Sequence, residues 1–289
     1  MPIRIVTDST ADIPDDVAAE LRIGVIPAYI NFGTVSLRDK VDISRAEFYR
    51  RLTAESVIPT TASPGVGEFE ESYRAAGAPE ATIVSIHPPA RLSALYSTAV
   101  LAARSFPTGQ VMVVDSGQIT MGMGWQVIAA ARAARDNAPL ETILDLVKAT
   151  GPRSRVFAAL DTFEYLRRGG RVGWAKMVVG TLLRIKPIIE FREGEVLPLD
   201  RVRTSQRALA RLIELSESLM PLESLAILHS NWPNGAEELR RRLTHVRLVD
   251  PLMVVDVTPV IGVHVGPRGL GVAVVHSARP GAPARGERE

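Results

Sequence analysis

Residues 4–10, Arg4-Ile5-Val6-Thr7-Asp8-Ser9-Thr10, form a β-branched run that stops in an acidic, hydroxyl-bearing turn. Ile, Val and Thr fit a pleated strand, and Asp-Ser-Thr after it is the chemistry of an Asx turn that opens a helix. Outward from this segment the rhythm repeats. Residues 25–30, 82–86 and 111–114 read as further strands, and helical 3.6-residue spacing appears at 69–76, 95–104 and 125–135. Strands alternating with helices at this interval predict βαβ units and a mostly parallel sheet. Such sheets take their ligands beyond the carboxyl ends of the strands. Asp8-Ser9-Thr10 lies at that edge, and Asp115-Ser116-Gly117, followed by Gly122 and Gly124, repeats the arrangement. Either turn suits a ligand hydroxyl or a metal, although the commoner use is an Asx turn.

A helix bracketed by residues 137–139 and 151–152 closes this half, placing a domain boundary at 152. The second half opens with a strand at 155–160. A hairpin follows, with one arm at 187–191, a turn at Glu193-Gly194 and the other arm from Val196. Helices at 205–219 and 236–243 and strands at 225–228, 253–257 and 271–275 complete it. The expected architecture is α/β with two domains: a Rossmann-like parallel sheet with flanking helices at 1–152 and a mixed-sheet α/β domain at 153–279. Residues 280–289 are rich in Pro, Gly, Arg and Glu and read as a frayed tail.

The chain has 289 residues, 46% of them hydrophobic and 23% charged, an ordinary globular composition. It has no cysteine, which removes disulfides, thiolate nucleophiles and zinc-thiolate clusters together. The first residues show no secretory signal, and apolar runs such as 177–183 fall far short of the ~20 residues that span a bilayer. A cytoplasmic protein of a bacterium-like cell, with no stable membrane insertion, is the expectation. Residues 1–152 carry 13 basic and 17 acidic side chains, net −4, while 153–289 carry 21 and 15, net +6. The second half would therefore prefer an anionic ligand or an acidic partner.

Several chemistries are absent. There is no Gly-x-Ser-x-Gly elbow, no phosphate-binding loop of the Walker type and no dinucleotide fingerprint after the first strand. No His pair has metal-ligand spacing. With 5% aromatic residues and no basic stripe interleaved with stacking side chains, nucleic acid is not an expected partner.

Two hydroxyls precede helices. Ser63 reads as an N-cap with Pro64 at the first helical position, and Ser93 caps the helix carrying Leu95, Tyr96 and Leu101. Helix N-termini with hydroxyls suit a carboxylate or phosphate, although plain capping is the commoner use of such residues. Leu166-Arg167-Arg168-Gly169-Gly170-Arg171 is either an anion-binding loop or a solvated basic one. His264 is the one histidine of five set in a Gly-rich turn, Gly262 to Gly271, and is either functional or structural.

These segments resemble the DegV family of bacterial fatty-acid-binding proteins from about Ile3 to about His276. The resemblance rests on residues 5–12, on Arg38-Asp39-Lys40-Val41-Asp42-Ile43-Ser44, and on Thr60-Thr61-Ala62-Ser63-Pro64. Leu92-Ser93-Ala94-Leu95-Tyr96, Val114-Asp115-Ser116, residues 166–172, residues 185–189, Arg203-Thr204 and His264-Val265-Gly266-Pro267 add to it. It implies a long-chain fatty acid buried between the two domains, its carboxylate meeting hydroxyls at Thr61 and Ser93, with Ser63 beside them. It also implies that a separate ATP-binding fatty-acid kinase subunit receives the lipid and makes the acyl phosphate for phospholipid synthesis, with Arg171 and His264 close to the carboxylate. The binding protein itself then needs no cofactor, holds no metal and is not the catalyst. The chain departs from the family pattern at Ala62, Ala94, Val265 and Arg268, while both carboxylate hydroxyls are kept.

Two rivals remain: a hydrolase or phosphotransferase with Ser93 as nucleophile and His264 as base, which requires the two side chains within ~3 Å of each other, directly or through one water, and a lipid sensor without a kinase partner.

Overall fold

The structure, a computed structural model, describes residues 1–173 and 185–277. The apolar run at 177–183 and the tail at 280–289 lie outside the described residues. The opening segment folds as expected into strand β1 (Ile3–Asp8), and a 3₁₀ turn leads to α1 (Asp15–Glu20) and β2 (Gly24–Ile26). The single strand expected at 25–30 is divided at Pro27. Beyond it the chain leaves the parallel sheet for a small antiparallel one: β3 (Tyr29–Phe32), β4 (Val35–Arg38) and, after α2 (Arg45–Ala54), β5 (Thr60–Ala62). Proline has no N–H to give to a ladder, so a break there is natural.

Helix α3 (Val66–Ala75), β6 (Thr82–His87), α4 (Leu95–Ala103), β7 (Val111–Asp115), α5 (Thr120–Arg135) and α6 (Leu140–Thr150) follow. The sheet order is β2-β1-β6-β7, parallel throughout. Its central strands bury Ile5, Val6, Ile83, Val84 and Ile86, which is how parallel strands covered on both faces read in sequence.

From Ser154 the chain builds a six-stranded mixed sheet. Its elements are β8 (Ser154–Ala159), α7 (Glu164–Gly169), β9 (Lys186–Arg192), β10 (Glu195–Val202), α8 (Ser205–Glu217), β11 (Leu222–His229), α9 (Pro233–Arg242), β12 (Met253–Asp256), α10 (Pro259–Val265) and β13 (Leu270–His276). The order is β10-β9-β8-β13-β11-β12, with only β11 and β12 parallel.

Helix α5 joins the two sheets. Gly122 and Gly124, which follow the Asp115-Ser116-Gly117 turn, are packing contacts of this helix. A Cβ on Gly122 would come within 2.7 Å of Val156 Cγ2, and one on Gly124 within 2.8 Å of the Ala11 carbonyl, so the helix is pressed between both halves. Trp125 Nε1 donates to the Ala273 carbonyl at 3.2 Å. Ile5, Met121 and Trp125 consequently share one apolar core with Val156, Ala226 and Ala273.

Candidate functional site

A cavity of about 270 Å³ opens where the segments beyond the carboxyl ends of β1, β2, β6 and β7 face the six-stranded sheet. Thr10, Ala28, Pro88 and Ile119 contribute from the first half. Val156, Ala158 and Leu160 form a row along β8, flanked by Ile189 and Phe191 of β9. Thr61, Ser63, Ser93, Arg171 and His264 all line this one cavity, although they are far apart in the chain.

The local reasons differ from those read in the sequence. Thr61 stands on β5, paired with Ile30 in the small antiparallel sheet. Ser63 is not a helix cap. Helix α3 starts at Val66 behind Gly65, whose N–H donates to Glu68 Oε2 at 2.8 Å. Ser63 Oγ instead lies 3.2 Å from Thr98 Oγ1 of α4 and 3.0 Å from the Pro64 carbonyl, tying the exit of β5 to that helix. Ser93 sits one residue before the N-cap, Ala94, and accepts from the Leu95 N–H at 3.3 Å.

His264 is carried by α10, not by a Gly-rich turn. The glycines around it answer to neighbours: Gly266 ends the helix at φ 73, ψ −179, and a Cβ there would lie 2.1 Å from the Tyr165 ring. Gly169, at the end of α7, is equally constrained, because a Cβ would meet His264 Nδ1 at 2.4 Å. Of the three arginines around this glycine pair, Arg171 lines the cavity and donates to the Gly169 carbonyl at 2.9 Å, while Arg168 pairs with Glu164.

Thr61 Oγ1 and His264 Nε2 are 3.2 Å apart, and His264 Nδ1 is buried without a hydrogen-bond partner. Burial, with a smaller push from the Arg171 guanidinium, lowers the imidazole from 6.5 to about 4, so it is neutral at pH 7. Around Thr61 the cavity thus offers hydroxyls, the neutral His264 imidazole and one guanidinium beside a largely apolar wall. That set suits an amphipathic anion. Ser93 Oγ and His264 are not hydrogen-bonded to each other among the described residues; each has the other partner just given.

Asp8 and Asp115 are the Asx turns the sequence favours, accepting from the N–H groups of Thr10 and Gly117 at 2.9 Å each. Three polar wall residues escaped the sequence reading as site residues, Thr120, His229 and Ser230. None stands in a motif; only the meeting of the two sheets brings them to the cavity.

Fold and site together define an α/β protein in which a parallel and a mixed sheet enclose an apolar cavity with a small polar patch. A family model described as "Uncharacterised protein, DegV family" matches residues 2–277. A DegV domain-containing protein of Halalkalibacterium halodurans is 34% identical over 94% of this chain and 97% of its own length. One of Streptomyces coelicolor is 35% identical over 94% and 98%. Among solved structures, a DegV family protein from Thermus thermophilus described as binding fatty acid superposes with a TM-score of 0.88 at 29% identity, covering 96% of this chain and all of that one. DegV of Bacillus subtilis, described as a fatty acid binding protein, does so with 0.82 at 28% over the same shares. The chain belongs to the DegV family.

Proposed function

We propose that this protein binds a long-chain fatty acid in the cavity between domains 1–152 and 153–279. Its carboxylate is held by Thr61 and Ser93, with Ser63, Arg171 and His264 around it, and the lipid is presented to the ATP-binding subunit of a fatty-acid kinase for acyl-phosphate formation. The observation that carries the reading is that the apolar row on the sheet and these five polar residues line the same cavity. The solved relatives above 25% identity that are described as binding fatty acids support the ligand class. The kinase partner follows from the family resemblance.

The energetics agree. From Leu160 to Val156 the cavity wall follows four residues of strand, ~13 Å at ~3.3 Å each. An extended zigzag of tetrahedral carbons advances somewhat less per bond than its ~1.5 Å single bond, so about ten methylenes lie against that wall. At ~0.8 kcal/mol each they contribute on the order of 8 kcal/mol before the costs of association. A carboxylate at the end of such a chain must be hydrogen-bonded, since a bare charge in an apolar enclosure costs several kcal/mol.

Mass spectrometry of small molecules released by denaturing the purified, unsupplemented protein tests this. A stoichiometric long-chain fatty acid is expected. A protein that carries none and takes up none when it is offered would end the fatty-acid reading.

A further inference from the structure

Helix α10 brings Val260, Ile261, His264 and Val265 to the cavity wall. It is tied to the first half at its N-cap. The Thr258 N–H donates to Asp12 Oδ1 at 2.7 Å, and the Thr258 hydroxyl reaches the Ser9 carbonyl at 3.3 Å. Asp12 is 1% exposed, and its second oxygen has no partner. Asp39 is wholly buried, and the nearby hydroxyls of Ser9 and Thr258 act on its carboxyl without closing a hydrogen bond of ordinary geometry. Thr120 Oγ1, which acts on Asp12, and Tyr49 Oη, which faces Ser230, are likewise buried without a hydrogen bond of ordinary geometry among the described residues.

The charged and titratable groups around the two carboxyls come from several elements. Arg45 and Tyr49 of α2, Lys40 beside Asp39, and Asp256 at the end of β12 face this region. Arg45 and Lys40 act on Asp39 through charge, and Lys40 also pairs with Asp15. Asp12 is answered by hydroxyls and one backbone N–H, not by a cation. A buried carboxyl with an undonated oxygen is relieved by taking up a proton.

We propose that Asp12 and Asp39 form a proton-operated latch on helix α10: protonated, they let it seat against the first half, and ionised, they loosen it and open the cavity wall that carries His264. The consequence for ligand release rests on the fatty-acid reading above; the latch itself does not. Burial raises Asp12 from 3.8 to about 7 and Asp39 from 3.8 to about 6. The seated state therefore binds protons more tightly than a released state with solvated carboxyls. Its advantage falls as pH rises from the ordinary carboxyl value to the raised one, by up to about tenfold per pH unit for each carboxyl, and is constant above it. His264, on α10 itself, is lowered from 6.5 to about 4, so its exposure on opening acts in the opposite direction between those values and offsets part of the rise.

Hydrogen–deuterium exchange of the 258–265 amides in the delipidated full chain reads the opening directly, after correction for intrinsic exchange rates. With the opposing His264 contribution included, the wild-type opening constant should rise about threefold between pH 6 and 7 and level off by about pH 8. Asp12→Asn should flatten the profile, and Asp39→Asn should remove only its lower part, below about pH 6. The same wild-type opening at pH 6 and 8 would overturn the latch, as would an Asp12→Asn profile that still rises. Should Asp12→Asn fail to fold, the wild-type and Asp39→Asn profiles decide. Fatty-acid content is measured on the same preparations. A lipid-free protein whose α10 still responds to pH sinks the fatty-acid reading and leaves the latch. A lipid-loaded protein whose α10 ignores pH does the reverse.

Discussion

Thr61→Val isolates the head-group chemistry, because it removes one hydroxyl and keeps the β-branched shape that β5 needs opposite Ile30. In the empty protein the change deletes the 3.2 Å contact with His264 Nε2. A neutral hydrogen bond of that kind contributes about 1 kcal/mol to stability, a small shift in a melt. With ligand bound, the same hydroxyl faces a carboxylate, and hydrogen bonds to charged groups contribute about 1.5–3 kcal/mol. That range corresponds to roughly 10–150-fold weaker binding. The neutral imidazole cannot replace the lost interaction with a charge, since burial keeps it unprotonated at pH 7. Arg171 already gives one N–H to the Gly169 carbonyl. The assay is a titration of delipidated protein with a fluorescent long-chain fatty acid, run beside a melt of the empty protein, with Thr61→Ser as the variant that restores binding. An affinity within twofold of wild type, with the fold intact, would refute the assignment of the carboxylate to this hydroxyl.

Two further outcomes follow from the same geometry. Gly266→Ala places a side chain at φ 73, ψ −179 and within 2.1 Å of the Tyr165 ring, so denaturant unfolding should show a loss of at least ~2 kcal/mol; an unchanged midpoint would contradict the packing described at the end of α10. For His264 the folded-state value is lowered from 6.5 to about 4, so its contribution to stability is complete above about pH 6.5 and is lost as pH falls toward 4. Because the Asp12 carboxyl acts in the opposite direction over the same range, the test is the difference between wild type and His264→Gln in urea at pH 4.5 and 7, which should narrow at the lower pH.

What was legible in the sequence was the part governed by local pattern. The β-branched runs of β1, β6 and β7 and the helices after them have the periodicity that a covered parallel sheet imposes, and the 187–196 hairpin announced itself by its Glu-Gly turn. Pro27 was the missed sign. It splits the expected strand and sends the chain into β3, β4 and β5, three short pairings whose stability lies in packing, so their sequences carry little periodic signal. The site shows the same division. Thr61, Ser63, Ser93, Arg171 and His264 stand out in the sequence and line one cavity, yet local rules explain their settings poorly. Ser63 bonds across to α4 instead of capping α3, and the glycines near His264 answer to Tyr165 and Ser230. Those constraints are set between segments distant in sequence, where no window of residues contains both partners.

One constellation resembles catalytic machinery and should be distinguished from it. Ser85 Oγ lies 2.7 Å from His87 Nε2, and His87 Nδ1 lies 2.7 Å from Asp8 Oδ2, the connectivity of a hydrolase triad. All three side chains are fully buried, and Ser85 is not part of the cavity wall. Tyr73 donates its hydroxyl to Ser85 at 3.0 Å, and the other Asp8 oxygen accepts from the Thr10 N–H at 2.9 Å and its hydroxyl at 2.5 Å. A consistent proton assignment runs from Tyr73 to Ser85 to His87 Nε2, with His87 Nδ1 donating to Asp8. A nucleophile needs a reachable oxygen and donors around a reacting carbonyl; this serine has neither, its hydroxyl being engaged on both sides. The network instead pins α3, β6 and β1 together and holds Thr10 at the cavity wall. Ser85→Ala should therefore strand the Tyr73 hydroxyl and one His87 nitrogen in a dry site, at about 1–3 kcal/mol for each. Denaturant unfolding should record that loss while the lipid content per folded molecule stays at the wild-type level. Labelling of Ser85 in the folded protein by a serine-directed fluorophosphonate, or a Ser85→Ala variant as stable as wild type, would show that this reasoning is wrong.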